Sequence, residues 1–212
     1  MADKEKSSEQ ADTKTLKAYD KDAFLFAKQW HDSPPPTEIY EVITKFFDKS
    51  KTTIEIGSGS GRDAAWLKTR GFSVIGFDAS QGLLDYSRKR YGHIEFKFAE
   101  LPLLKEIESN SADQILCATA IQHLAPQAIP IALNHLDRVL KVDGILFLSW
   151  RVPLTNEKNY RLEDERLYTK IEFEEAQNGL SPSRFKELYR DETDIQTFGK
   201  LIRTLVVKKL SE

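Results

Sequence analysis

The sequence predicts a doubly wound α/β fold with a mostly parallel sheet. Three observations carry that prediction: short β-branched runs alternate with amphipathic helical stretches, the first run enters a glycine-rich turn, and the second ends in a carboxylate. The first run is Thr53-Ile54-Glu55-Ile56, leading into Gly57-Ser58-Gly59-Ser60-Gly61-Arg62, and the second is Val74-Ile75-Gly76-Phe77-Asp78. Run, turn, helix, run and acid together make half of a βαβ unit with a nucleotide-type site at its turn.

Residues 1–13 are polar and mixed in charge, offer nothing to bury and read as a disordered tail. Residues 14–212 read as a single domain, with a helical cap over 14–50, a ligand-binding core over 51–150 and a substrate-side segment with terminal strands over 151–212. Leu16, Tyr19, Ala23, Phe26, Ala27 and Trp30 recur at three- and four-residue steps, which predicts one amphipathic helix ended by Ser33-Pro34-Pro35-Pro36. A second helix runs from Thr37 to Phe47 with Ile39, Val42, Ile43 and Phe46 on one face.

The core then alternates: strand 53–57, helix 62–70, strand 73–77, helix 81–91, strand 94–98, a short helix near 103–108, strand 113–118, helix 126–140 and strand 145–150. Gly71 stops the first core helix. Thr169 to Gln177 reads as a helix stopped by Asn178-Gly179. Local propensity then has Ser181-Pro182 cap a further helix through Phe185, Leu188 and Tyr189. Leu201 to Leu210, rich in β-branched and leucine residues, predicts the last strand.

Length and composition bound the function. The chain has 212 residues, 40% of them hydrophobic, enough for one sizeable core and small for two. Thirty-one basic residues against 33 acidic ones leave a net charge of −2, so no overall field draws a nucleic-acid backbone or an anionic membrane to the surface. A small-molecule substrate follows by default, and oligomeric state is not legible. The N-terminus lacks the apolar segment of a secretory signal and no run approaches bilayer-spanning length, which predicts a cytoplasmic protein. The single cysteine, Cys117, falls in an apolar strand and reads as a small buried hydrophobe. The four histidines are dispersed, so no metal site is expected.

The glycine spacing narrows the chemistry. It is G-x-G-x-G, with Arg62 where a dinucleotide fingerprint places its third glycine. No Gly-Lys-Ser/Thr follows, which excludes a P-loop, and the serines between glycines lack the larger flanking residues of a hydrolase nucleophile elbow. Glu55 stands inside an otherwise apolar strand, where an acid is costly to bury unless backbone N–H groups or a ligand ammonium meet it.

This arrangement resembles the class I S-adenosylmethionine-dependent methyltransferases, in particular their type 11/12-like small-molecule group, over roughly Tyr19 to Trp150. The resemblance implies a Rossmann-like doubly wound sheet with an antiparallel last strand and an N-terminal helical cap. It implies S-adenosyl-L-methionine as cofactor and S-adenosyl-L-homocysteine as product. Gly57, Ser58, Gly59 and Gly61 would wrap the methionine half through their backbone, with Glu55 organising the turn or the ammonium group and Arg62 pairing with the carboxylate. Asp78, followed by Ala79, would hold both ribose hydroxyls, since a carboxylate accepts two hydrogen bonds.

Phe96-Lys97-Phe98-Ala99-Glu100-Leu101-Pro102 corresponds to the third strand and the adenine-reading loop, with Glu100 where relatives often carry aspartate and Leu101 beside it. Ala118 ends the fourth strand, and Ile121-Gln122-His123-Leu124 resembles the loop beyond it. Lys141-Val142-Asp143-Gly144 departs from the usual lysine-proline-glycine-glycine turn. Tyr19 matches a tyrosine by which relatives touch the cofactor from the N-terminal helix. The family topology also places a strand near 181–192, against the helix that local propensity favours.

Methyl transfer needs an aligned nucleophile and a destination for its proton. His123 is the candidate base because its ordinary pKa lies near neutrality, with a structural hydrogen-bonding role as the alternative. Trp150 and Arg151, at the carboxyl edge of the fifth strand, and Tyr168 are candidate acceptor-site residues. Arg151 would favour a carboxylate or phosphate, unless an acid of the protein itself ties it down. Among Tyr19, Phe24, Phe26 and Trp30, aromatic faces suited to a sulfonium, the helical spacing of Phe26 and Trp30 favours core packing. The charge run Arg161 to Arg166 reads as a solvated face. Two other functions remain compatible with the half-fold: an NAD-dependent oxidoreductase, and a catalytically lapsed cofactor-binding or interaction protein. RNA methylation lacks both a basic stripe and an Asn-Pro-Pro-Tyr-type motif.

Overall fold

The computed structural model describes residues 10–152, 157–195 and 200–211. Most of the expected tail, residues 1–9, lies outside the described residues. Asp12, also assigned to the tail, instead caps the first helix, its carboxylate accepting from the Thr15 N–H at 2.8 Å. The single helix expected to reach Trp30 is two, α1 (Thr13–Lys21) and α2 (Ala23–Asp32), because Asp22 leaves helical geometry at φ −115°, ψ 26°. Asp20, just before the break, accepts from the Ser80 hydroxyl at 2.7 Å and the Gly82 N–H at 3.2 Å. Pro34 to Pro36 then separate α2 from α3 (Thr37–Phe46).

The core follows as β1 (Thr52–Ile56), α4 (Arg62–Thr69), β2 (Ser73–Asp78), α5 (Gln81–Arg90), β3 (Glu95–Phe98), β4 (Ala112–Ala118), α6 (Ile129–Val139) and β5 (Leu140–Val152). A small hairpin, β6 (Asn159–Arg161) with β7 (Leu167–Thr169), precedes α7 (Phe173–Gly179), β8 (Phe185–Ile195) and β9 (Lys200–Lys209). The main sheet has seven strands in the order β3-β2-β1-β4-β5-β9-β8. The first five in that order run parallel, and β9 enters antiparallel between β5 and β8. This is the doubly wound, mostly parallel sheet that the sequence predicts, with its last strand reversed. No helix among the described residues is long and apolar enough to cross a membrane.

Burial on both faces explains why the inner strands read as continuous apolar runs. Along β4, Ile115 and Cys117 enter one core cluster while Leu116 between them enters the other. Along β5, Leu146, Leu148 and Trp150 point to the first and Phe147 to the second. Cys117 is fully buried, and that burial pushes its thiol up to about 12, so it packs as a hydrophobe.

One local expectation is overturned and one open alternative is decided. No helix forms near 103–108, because Arg138 of α6 donates to the carbonyls of Leu103, Leu104 and Ile107 at 3.4, 2.8 and 2.9 Å, and Leu104 itself has φ +46°. The segment after Ser181-Pro182 is strand β8, whose ladder with β9 spans Phe185 to Ile195 with a bulge between Glu187 and Tyr189. Edge pairing outweighs the local helical preference there.

Phe147 is fully buried in a cluster with Leu116 and Val206. Phe147→Ala is expected to lower the unfolding free energy by about 3–5 kcal/mol, read as a shift of the urea midpoint without change of slope.

Candidate active site

The strand order reverses between β1 and β4, and a crevice opens there at the carboxyl ends of the parallel strands. A cavity of about 240 Å³ fills it. The glycine loop, the ends of β2 and β4, and α1 form its walls, with Arg151 and Arg166 at the outer side.

The loop is shaped by what lies against it. The N–H groups of Gly57 and Ser58 both donate to the Phe77 carbonyl, at 2.8 and 2.9 Å, so the end of β1 is pinned to β2. Gly59 has φ +53°, and a Cβ there would stand 2.9 Å from the Trp30 ring. Gly61, in the left-handed region at φ +74°, begins α4, and a Cβ on it would meet the Phe96 ring at 2.6 Å. This third glycine therefore serves helix–sheet packing although it falls one residue early in the motif.

Asp78 closes the loop from the neighbouring strand. One carboxylate oxygen accepts from the Gly59 N–H at 2.7 Å and the other from the Ser80 N–H at 2.8 Å. Burial pushes its carboxyl above the ordinary range, against the pull of these donors. Each oxygen keeps a lone pair for a ligand hydroxyl.

Glu55, the acid inside β1, is buried, and its Oε2 has no hydrogen-bond partner among the described residues. Burial first, then the nearby Asp63 and Asp78, raises its carboxyl well above the ordinary value. A buried acid with an open acceptor at a cleft wall is the setting that a ligand cation would satisfy. Arg62 is already engaged: its Nε donates to Asp63 at 2.8 Å and its Nη1 to the Trp30 carbonyl at 3.1 Å, while Asp63 also accepts from the Tyr40 hydroxyl at 2.7 Å.

His123 lies across the cleft. Its Nδ1 is 2.7 Å from the Leu167 carbonyl, which can only accept, so Nδ1 carries the proton. Its Nε2 then accepts from the Tyr19 hydroxyl at 2.9 Å. Burial, helped by Arg151 and Arg166, lowers the imidazole to about 4, and burial raises the Tyr19 phenol to about 12. The outer wall is a clasp between α1 and the hairpin. Asp12 takes both Nη atoms of Arg161 at 2.8 Å, Lys14 meets Glu165 at 3.0 Å, and the Leu167 N–H donates to the Thr15 hydroxyl at 2.8 Å.

A family profile described as a methyltransferase domain matches residues 54–148, the span from β1 to β5 that builds this cleft. That match, to somewhat under half of the chain, supports a class I S-adenosylmethionine-dependent methyltransferase. The chain is 29% identical over 182 residues to an uncharacterised methyltransferase of Alkaliphilus oremlandii, covering 83% of this chain and 79% of that one. It is 35% identical over 103 residues to the biotin biosynthesis bifunctional protein of Cellvibrio japonicus, covering 48% of this chain and only 20% of that protein. Among solved structures, the Burkholderia thailandensis 1,6-didemethyltoxoflavin-N1-methyltransferase, with 1,6-didemethyltoxoflavin and S-adenosylhomocysteine bound, superposes with a TM-score of 0.72 at 16% identity, over 92% of this chain and 87% of that chain. That likeness speaks to the fold.

Of the residues singled out in the sequence, Tyr19, Glu55, Gly57, Ser58, Gly59, Arg62, Asp78, Ala79, Leu101, Ala118, His123 and Arg151 line the cleft. Four others lie outside its lining. Gly61 faces Phe96 and Ser87. Glu100 stands beyond the lining, where Ala99 and Leu101 take the wall. Trp150 is fully buried with its indole N–H on the Ile171 carbonyl at 2.9 Å, because its side chain alternates onto the core face of β5. Tyr168 stands behind the wall, edge-on to His123 at 4.7 Å between ring centroids, its hydroxyl accepting from Arg151 at 3.2 Å.

Trp30 lines the cleft where helical spacing favoured core packing, and Phe24 is exposed on α2. Arg166 is only 14% exposed and also lines the cleft, although the charge run containing it reads as solvated. Periodicity carried no signal for Arg166, since hairpin β6–β7 is what turns it inward.

The depressed His123 value has a direct consequence for stability. The native ring stays neutral to about 4 while the unfolded ring takes a proton near 6.5, so protons favour the unfolded chain within that window. Stability is expected to fall by about 1–3 kcal/mol as pH drops from about 6.5 to about 4. Urea titrations across this range should show the decline in the wild type and a smaller one in His123→Gln.

Proposed function

We propose that this methyltransferase holds S-adenosylmethionine across the switch point and methylates a small-molecule acceptor admitted beneath α1. When bound, the cofactor supplies a methyl group on a sulfonium, an activated carbon with a neutral thioether as leaving group. The observation that carries the cofactor placement is the open, buried Oε2 of Glu55 facing the cleft beside the glycine loop. Glu55 takes the ammonium group, and the backbone of Gly57 to Gly59 follows the methionine chain. The free lone pairs of Asp78 accept the ribose hydroxyls, and Ala79, Ala99 and Leu101 form the apolar wall for the base. Arg62 acts at one remove, holding Asp63 and the end of α2 against the loop.

The acceptor side is supported by the clasp of α1 to the hairpin, which walls the outer cleft. The structurally similar Burkholderia enzyme is named for a small-molecule acceptor, which agrees with this reading. His123 Nε2 accepts from the Tyr19 hydroxyl, so the proton that leaves the acceptor passes to the Tyr19 oxygen as the Tyr19 proton moves to Nε2. A base held as low as about 4 suits a nucleophile whose acidity rises as its bond to carbon forms.

Calorimetric titration with S-adenosylmethionine, S-adenosylhomocysteine and NAD tests the cofactor site. The first two are expected to bind, and Asp78→Asn to weaken them about 10- to 100-fold through loss of charge-assisted hydrogen bonds. Binding of NAD alone, or of none of the three, would overturn the placement. Incubation of a cell extract with methyl-labelled cofactor tests the acceptor class: label is expected in the small-molecule fraction, and label confined to protein or RNA would refute the proposal.

A further inference from the structure

Three arginines surround the outer half of the cleft, and two have their charge matched within the protein. Arg166 donates through Nε and Nη2 to Asp164 at 2.9 and 2.8 Å, and Arg161 is held by Asp12 through both Nη atoms at 2.8 Å. Arg151 is the exception. Its side chain lines the cleft and has no carboxylate at ion-pair distance among the described residues. Its Nη1 donates to the Tyr168 hydroxyl at 3.2 Å, and its guanidinium stands 5.9 Å from the Tyr168 ring centroid. Its backbone is fixed by the Gln122 side chain, which accepts from the Arg151 N–H at 2.5 Å. The sequence left open whether an acid of the protein ties this arginine down; no described residue does.

An arginine in a partly enclosed cleft without a counter-charge is costly unless a ligand supplies one. Its planar fork matches a carboxylate. We propose that Arg151, positioned by Tyr168 from behind the wall, is the receptor for a single carboxylate on the acceptor, a handle that sets a separate protic group against His123 and Tyr19. This inference rests on the methyltransferase reading above and names the substrate class of that same site.

Charge count favours a carboxylate over a phosphate. Arg166 and Arg161 are already balanced, so the outer half of the cleft has one positive charge to offset, and a dianion would leave an excess beside Asp12. Geometry favours a handle over a methylated carboxylate. Oxygens engaged by a guanidinium lose nucleophilicity, whereas the Tyr168 ring contacts both His123, at 4.7 Å between centroids, and the Arg151 guanidinium, at 5.9 Å, which brings the base close to the anchor.

The test uses the protein saturated with S-adenosylhomocysteine and titrates benzoate against benzamide, hexanoate against hexanamide, and phenyl phosphate. At least one acid is expected to bind about tenfold or more tightly than its neutral amide, the scale of a charge-assisted pair. Arg151→Gln should erase that preference and Arg151→Lys keep part of it, with the circular dichroism of both unchanged. Equal binding of acid and amide, or a preference that survives Arg151→Gln, would overturn the proposal. So would phenyl phosphate binding more tightly than benzoate. Failure to bind S-adenosylhomocysteine in the first titration strikes the underlying cofactor reading; saturation without acid preference strikes the carboxylate receptor alone.

Discussion

One buried carboxylate holds the architecture of the site. Asp78 sits at the end of β2, yet its two oxygens bind the Gly59 N–H of the loop after β1 and the Ser80 N–H that begins the next turn. Within the loop the Gly61 N–H donates to the Ser58 carbonyl, whereas the Gly59 N–H, on left-handed backbone outside the ladder, has its acceptor in Asp78. Without an acceptor placed there by the neighbouring strand, the loop would lose the bond that fixes the Gly59 peptide. The same acid therefore organises the loop and keeps its remaining lone pairs turned to the cleft.

The other half of the site depends on closure. Helix α1 is tied below to the Ser80 turn through Asp20 and above to hairpin β6–β7 through Asp12, Lys14 and Thr15. That double attachment places Tyr19 against His123 and turns Arg166 inward beneath Asp164. Enclosure keeps the imidazole neutral, since a charged ring there would lose water and face two guanidinium groups. Closure and the protonation state of the candidate base have one physical cause.

Much of the cofactor half was legible because its chemistry is local. Glu55, the three glycines and Asp78 fall at strand ends whose β-branched content and spacing are readable within some 25 residues, and the parallel sheet follows from strands parted by helices. The acceptor half was not. Trp150 and Arg151 are adjacent in sequence, but strand alternation sends one into the core and the other to the cleft. Arg166 looked like one charge among several until the hairpin gave it a direction. The failed helix near 103–108 has the same origin, as Arg138, some 30 residues on, captures carbonyls that a helix would have used internally.

By itself the sequence determined the α/β class, the order of the core elements and the acid–glycine–acid pattern at the first two strands. These rest on backbone conformation and hydrophobic period, properties of neighbouring residues. Only the tertiary structure decided that α1 closes on a hairpin, that the segment after Ser181-Pro182 pairs as β8, and that of the four arginines near the cleft Arg151 alone stands without a described acidic partner. Those outcomes depend on contacts between residues as many as 150 positions apart, where local propensity is weak against edge hydrogen bonding and the burial of charge.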